Sequence, residues 1–277
     1  MAAADAIPPA QYFTSLSRNY SRQTGNSTRA LFASIAGRIT PAITPSSVIH
    51  DNAGGVGTAT SVILDNLAPT SPDDIPEVLI TDNNPAMIAA ASENFMEMNS
   101  RITAAEADSQ DLSSIDDAKF THSIVNFSVF LFPNALQALR EIHRTLQADG
   151  VAVLLTWKRF GFGSTIHVAQ SLVRPDLPPI PIPGSQFMNP GVLAELVIKA
   201  GFSEAEMHVY QDNTVRKDED LEGMREFMLA DFSRVVMKDW TEGERARWPA
   251  AVDEAIRREV EQYGGILFES WAVIAHK

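Results

Sequence analysis

The chain contains no cysteine in its 277 residues, which excludes disulfides and thiolate metal sites and permits a reducing compartment. It also lacks any apolar run near the ~20 residues that a membrane span requires. The opening stretch Met1–Ala10 is small and apolar but has neither a basic n-region nor a continuous hydrophobic segment, so the expectation is a cytoplasmic protein. Positive charge is scarce as well. Only 22 Lys and Arg stand against 35 Asp and Glu, a formal net charge of −13. The cations are scattered along the chain, so a phosphate backbone would be repelled and no nucleic-acid partner is expected. No metal site or membrane partner is expected either.

What is present suits a globular interior: 45% of residues are hydrophobic and 21% charged. The length accommodates one α/β core with extra helices or a lid. Tyr12 to Arg38 reads as helical, divided near Thr24-Gly25-Asn26-Ser27. From there strands and helices alternate. Strand Ser47–Asp51 runs into Asn52-Ala53-Gly54-Gly55-Val56-Gly57 and helix Thr58–Leu67; strand Val78–Thr81 precedes helix Pro85–Met98. Strands Ile102–Ala105 and Phe120–Phe127 follow, then helix Asn134–Gln147 and strand Val151–Trp157. This alternation predicts a parallel, doubly wound sheet with ligands at the carboxyl ends of its strands.

Between Lys158 and Met188 the pattern breaks, and Pro175, Pro178, Pro179, Pro181 and Pro183 predict a stiff loop over the site. Helix Pro190–Ala200, strand Ala205–Tyr210, helices Leu221–Met237 and Glu242–Gln262 and a last strand near Phe268–Ala275 complete the chain. The two late strands fit an antiparallel closing pair.

The glycine turn after the first strand is the most informative segment. A strand-to-helix turn without side chains lets backbone N–H groups approach a ligand at a helix N-terminus. Asp51 at the strand end can accept from a cationic amine. A dinucleotide site carries a third glycine where this chain has Thr60, which favours S-adenosylmethionine (SAM), a cofactor without pyrophosphate, over NAD. Asp82, past the second strand, suits capture of two ribose hydroxyls, and Asp108, past the third, suits the exocyclic amine of adenine. Any one of these acids is as readily a turn or cap residue; three at successive strand ends are harder to dismiss.

The stretch Leu139-Arg140-Glu141-Ile142-His143-Arg144-Thr145-Leu146 to Gly150, followed by Val151–Trp157, resembles the L-x-E-x-x-R-x-L-x-x-x-G segment that precedes the fifth strand of class I SAM-dependent methyltransferases. The glycine loop and the Thr156-Trp157 ending resemble fungal secondary-metabolite methyltransferases of the gliotoxin bis-thiomethyltransferase kind. The resemblance implies an α/β fold with a seven-stranded, mostly parallel, doubly wound sheet, N-terminal helices and a helical lid. It implies a helical cap over 1–45, a SAM-binding core over 46–157, lid loop, strand and helices over 158–262, and a final core strand over 263–277. Carried over by position, it implies SAM contacts from Asp51, Ala53, Gly55, Gly57, Asp82, Asn83, Asp108, Ser109, Asn126 and Phe127, with Tyr20 covering the methionine end. Ala53 stands where many relatives have glycine, and Asn84-Pro85 where many have serine.

For a methyl acceptor, His167 is the candidate base, against the plainer reading in which it packs on a lid helix. Phe130, Phe132, Trp157, Phe160 and Phe162 suit a flat apolar acceptor or ordinary core packing. The expected activity is methyl transfer to an O, S or N nucleophile of a small, largely apolar molecule, by a monomer or homodimer. A SAM-bound enzyme that rearranges or cyclises its substrate, an NAD-dependent dehydrogenase and a non-catalytic scaffold remain open.

Overall fold

The computed structural model describes residues 26–98, 100–182, 184–217, 219–230, 236–237 and 239–277. Its sheet comprises β1 (Val48–Asn52), β2 (Glu77–Asp82), β3 (Ile102–Glu106), β4 (Phe120–Asn126), β5 (Leu146–Arg159), β6 (Met207–Arg216) and β7 (Ile266–His276). The spatial order is β3-β2-β1-β4-β5-β7-β6. The first five strands pair in parallel; β7 lies antiparallel to both β5 and β6. This is the seven-stranded class I methyltransferase fold. Between β1 and β4 the strand order reverses, which opens a crevice at their carboxyl ends.

The α-helices among the described residues are α1 (Ser27–Ala36), α2 (Thr58–Leu67), α3 (Pro85–Asn94), α4 (Ala135–Thr145), α5 (Gly161–Val173), α6 (Pro190–Ala200), α7 (Glu219–Leu229) and α8 (Glu242–Tyr263). Strand β5 shows why two cores form. Val151, Val153, Leu155 and Trp157 point to one face and pack with Phe32 of α1, Ile166 of α5 and Trp248 of α8. Ala152 and Leu154 point to the other and pack with Leu139 of α4 and Val197 of α6. A strand buried on both faces reads as an unbroken apolar run, as Val151–Trp157 does.

Several boundaries differ from the sequence reading: the helix expected over Asn134–Gln147 ends at Thr145, the strand expected from Val151 starts at Leu146, the helix expected to Met98 ends at Asn94, and the strand expected from Ala205 starts at Met207. The expected break after Lys158 is shorter, because β5 continues to Arg159 and Gly161–Val173 is helix. Gly161 and Gly163 masked that helix, yet Phe162, Ile166, Ala169 and Val173 bury one stripe of it. The irregular loop is confined to the proline-containing stretch after Val173. β6 also runs on to Arg216; as a half-exposed edge strand its residues are too polar to read as one. No described helix is long and apolar enough to cross a membrane.

Candidate functional site

The crevice is built from strand ends. In the parallel register Asn52 lies opposite Thr81, Asp82 opposite Glu106 and Asn126 opposite Leu155, so all four ends open on one edge of the sheet. Between β1 and α2 the chain turns through left-handed conformations at Ala53 (φ 51°), Gly55 (φ 58°) and Gly57 (φ 83°). Three of the loop's amides have partners within the chain. Gly54 N–H donates to the Thr81 carbonyl at 2.9 Å, Gly57 N–H to the Gly54 carbonyl at 2.9 Å, and Gly55 N–H to Asp82 Oδ2 at 3.0 Å. A Cβ on Gly54 would stand 2.6 Å from Asp51 Oδ1, so glycine is what lets the loop fold over that carboxylate.

Gly57 is constrained twice, by its positive φ and by neighbours: a Cβ there would overlap the Phe95 ring and sit 3.1 Å from Ile80 Cδ1. Gly57→Ala should cost about 2 kcal/mol, roughly half from the left-handed backbone and half from displacing Phe95. Urea unfolding of the two proteins checks this, and a loss below ~0.5 kcal/mol would contradict it.

Asp51 is fully buried. Its Oδ2 accepts from Thr60 N–H at 3.1 Å and from the Thr60 hydroxyl at 2.7 Å, while Oδ1, also buried, has no protein partner. Burial pushes the carboxyl up to about 6; the Thr60 bonds oppose this and the nearby Asp82 adds to it. Thr60 thus holds the acid from the position where a dinucleotide site needs glycine. Asp82 Oδ1 accepts from Asn84 N–H at 2.9 Å, and burial raises its carboxyl against the Asn84 and Gly55 bonds. Asn83 is exposed beside it, and Asn84 caps α3 through Ala86 N–H.

Asp108 is exposed past β3. Ser109 is buried, and its hydroxyl donates to Asn52 Oδ1 at 2.7 Å. That bond stitches the end of β1 to the loop after β3, and Asn52 was not among the residues singled out from sequence. A polar residue directly after Asp51, otherwise out of place in a buried strand, was the available signal.

Asn126 lies on the same face of the sheet as Asp51, because Asp51 pairs with Ile124, and its Oδ1 is likewise buried without a protein partner. Phe127 holds a left-handed φ of 57°, a strained conformation for an aromatic residue that occurs where surrounding packing enforces it. Its ring lies 4.0 Å from Trp157; Trp157 lies 5.2 Å from Phe160 and 5.5 Å from Phe268, and Phe160 lies 5.8 Å from Phe162. The structure therefore gathers Phe127, Trp157, Phe160 and Phe162. Phe130 borders both cores, and Phe132 packs against the one beneath α4 and α6.

His167, on α5, faces the proline loop. Its Nε2 is 2.7 Å from the Ile180 carbonyl, which can only accept, so Nε2 carries the hydrogen and Nδ1 is the basic nitrogen. Gln170, one turn on, donates to the Pro178 carbonyl at 2.8 Å and accepts from Ile180 N–H at 3.2 Å. Together the two side chains strap Pro178–Ile180 to α5. Tyr20 lies outside the described residues.

Residues 55–154 match the family model described as "Methyltransferase domain". Among solved structures the chain is similar to the 4+2 cyclase SpnF, at 16% identity and TM-score 0.53, over 89% of this chain and 80% of that one. It is similar to a Haemonchus contortus phosphoethanolamine N-methyltransferase 2, solved with phosphomonomethylethanolamine and S-adenosylhomocysteine, at 16% identity and TM-score 0.53, over 90% of this chain and 52% of that one. The YcgJ protein of Bacillus subtilis matches at 12% identity and TM-score 0.50, over 90% and 97% of the two chains. At these identities the likeness is one of fold.

Proposed function

We propose that the chain moves the SAM methyl group to an O, S or N nucleophile of a small, largely apolar molecule of the secondary-metabolite kind, a reading supported by the match of residues 55–154 to a methyltransferase domain model. The observation that carries this reading is the pair of buried acceptors, Asp51 Oδ1 and Asn126 Oδ1, which share one face at adjacent strand ends and have no protein donor. A buried acceptor without a donor is costly, and the ammonium of a SAM methionine arm offers donors with the positive charge that suits Asp51. A pyrophosphate, in contrast, would meet a carboxylate at the N-terminus of α2.

Asp82 keeps lone pairs beyond the two it gives to Gly55 and Asn84, enough for ribose hydroxyls with Asn83 beside it. Asp108 and Ser109 stand at the adenine end, and Ala53, Gly55 and Gly57 bring the backbone close between the two. When bound, the cofactor supplies an electrophilic methyl group on a sulfonium. The chain's part is orientation and exclusion of water, with the apolar cluster of Phe127, Trp157 and Phe160 the group proposed to wall the acceptor. A thiolate or neutral amine needs no more than this. For a hydroxyl acceptor, His167 Nδ1 is the proposed proton acceptor.

Calorimetric titration with SAM and with NAD tests the cofactor, and binding of NAD alone would end this reading. Labelled SAM incubated with the protein and cell extracts tests the chemistry: a product heavier by one methyl group supports transfer. The fold likeness to a 4+2 cyclase favours one second reading, SAM kept as a bound cation during a cyclisation, whose product would gain no mass.

A further inference from the structure

The Glu141 and Arg144 side chains of α4 converge on the loop that follows β3, and Gln110 of that loop reaches back to the start of α4. Glu141 Oε2 accepts from Leu112 N–H at 2.9 Å. Arg144 binds Glu141 through Nε and Nη2 at 3.0 and 2.8 Å, and it donates to the Leu112 carbonyl at 2.7 Å, to the Ile115 carbonyl at 3.0 Å and to Asp117. The far end of the same loop is tied to the start of the same helix. Gln110 Oε1 accepts from Asn134 N–H, at the N-cap of α4, at 2.7 Å.

Gln110 then turns its donors on the acid. Its backbone N–H lies 2.9 Å from Asp108 Oδ1, and its Nε2 lies 3.1 and 3.2 Å from the two Asp108 oxygens. An exposed aspartate on a loop ordinarily samples several rotamers, and freezing it costs entropy at the moment of binding. Here the backbone of α4 fixes Gln110, and Gln110 fixes the carboxylate.

We infer that α4 is a splint for base recognition, with Gln110 the positioning residue that aims Asp108 and the Glu141–Arg144 pair the anchor that holds the rest of the loop. The inference rests on the SAM reading above and adds to it which residues set selectivity for the adenine ring. Gln110 itself touches Asp108 and α4, so its effect must pass through the acid.

The test compares SAM with its inosine analogue, in which the exocyclic amine of adenine is replaced by a carbonyl, by calorimetry on the wild type and on Gln110→Ala. The wild type should prefer SAM by about tenfold or more, the worth of one hydrogen bond to a charged group. Gln110→Ala should bind SAM several-fold more weakly, bind the analogue unchanged and so lose most of the preference, with thermal unfolding shifted little. Arg144→Lys, which keeps the charge but not the planar fork, should lose part of the same preference. Equal weakening of both ligands in Gln110→Ala, or an unaltered preference, overturns the inference, as does a wild type that binds both alike. A wild type that binds neither ligand overturns the SAM reading instead.

Discussion

Asp51→Asn should make the ligand-free protein more stable and nearly abolish SAM binding. The two effects have one cause. Asp51 is fully buried, shares Oδ2 between two Thr60 donors and leaves Oδ1 without any. Its carboxyl, ordinarily near 3.8, is pushed up to about 6, a displacement worth about 3 kcal/mol against the ionised form at neutral pH. An acid whose folded value is raised binds its proton more tightly in the folded chain. The penalty is therefore complete above pH 6, shrinks as pH falls from 6 toward 3.8, and is absent below.

The ligand-free wild type should accordingly gain stability between pH 7 and 5, with Asp82, also raised by burial, contributing in the same sense. The carboxylates held low by surface ion pairs or hydrogen bonds, among them Glu254, Glu244 and Asp176, give up their contributions only at lower pH. In Asp51→Asn most of that gain should vanish because the penalty is already removed. Urea midpoints at pH 7 should favour the variant by 1–2 kcal/mol, about half the full displacement, since an amide accepts less strongly from Thr60. SAM affinity should fall by roughly a hundredfold, as expected when a buried charge-assisted hydrogen bond is lost. In the wild type near pH 6 binding should expel a proton from Asp51, read as a dependence of the calorimetric heat on the buffer. A variant that binds SAM as tightly as the wild type would remove Asp51 from the cradle.

Much of this was legible in the chain because the relevant signals are local. The first four strands, the Asp51–Gly57 turn, Pro85 at the first turn of α3 and the apolar run Val151–Trp157 each follow from a few neighbouring residues. What stayed hidden depends on residues far apart in sequence. Nothing near Thr60 says that its hydroxyl reaches back to Asp51, and nothing near Gln110 says that it spans from Asn134 to Asp108. Motif spacing marked Glu141 and Arg144 without indicating their target, since Leu112 and Ile115 come beside them only once β3, β4 and α4 are stacked. The stretch after Lys158, which reads as a break in the pattern, holds a helix that burial of Phe162, Ile166 and Val173 secures despite Gly161 and Gly163, a case of tertiary packing overriding propensity.

Arg159 carries the second large effect, and it separates stability from binding in the opposite direction. The residue ends β5, two positions past Trp157, and grips Glu259 of α8 with both arms, Nη2 to Oε1 at 2.6 Å and Nη1 to Oε2 at 3.1 Å. Nη1 also donates to the Leu267 carbonyl, and the guanidinium lies 4.9 Å from the centre of the Tyr263 ring. Glu259 is only 6% exposed. Removing the cation leaves that carboxylate desolvated with no countercharge, so Arg159→Met should lose 3–5 kcal/mol, whereas Arg159→Met with Glu259→Leu should recover most of it because two apolar side chains need no partner. Urea unfolding of the single and double variants measures the coupling; a double variant no more stable than Arg159→Met would show that the pair's geometry, not its uncompensated charge, is what matters. The ion pair joins β5 to α8, whereas the residues proposed to hold SAM lie at the ends of β1, β2 and β4 and on the loop after β3. The folded fraction of Arg159→Met should consequently bind SAM within a few-fold of the wild type, while Asp51→Asn should fold well and bind roughly a hundredfold more weakly, a contrast that would assign the proposed cradle and the clamp to different parts of one sheet.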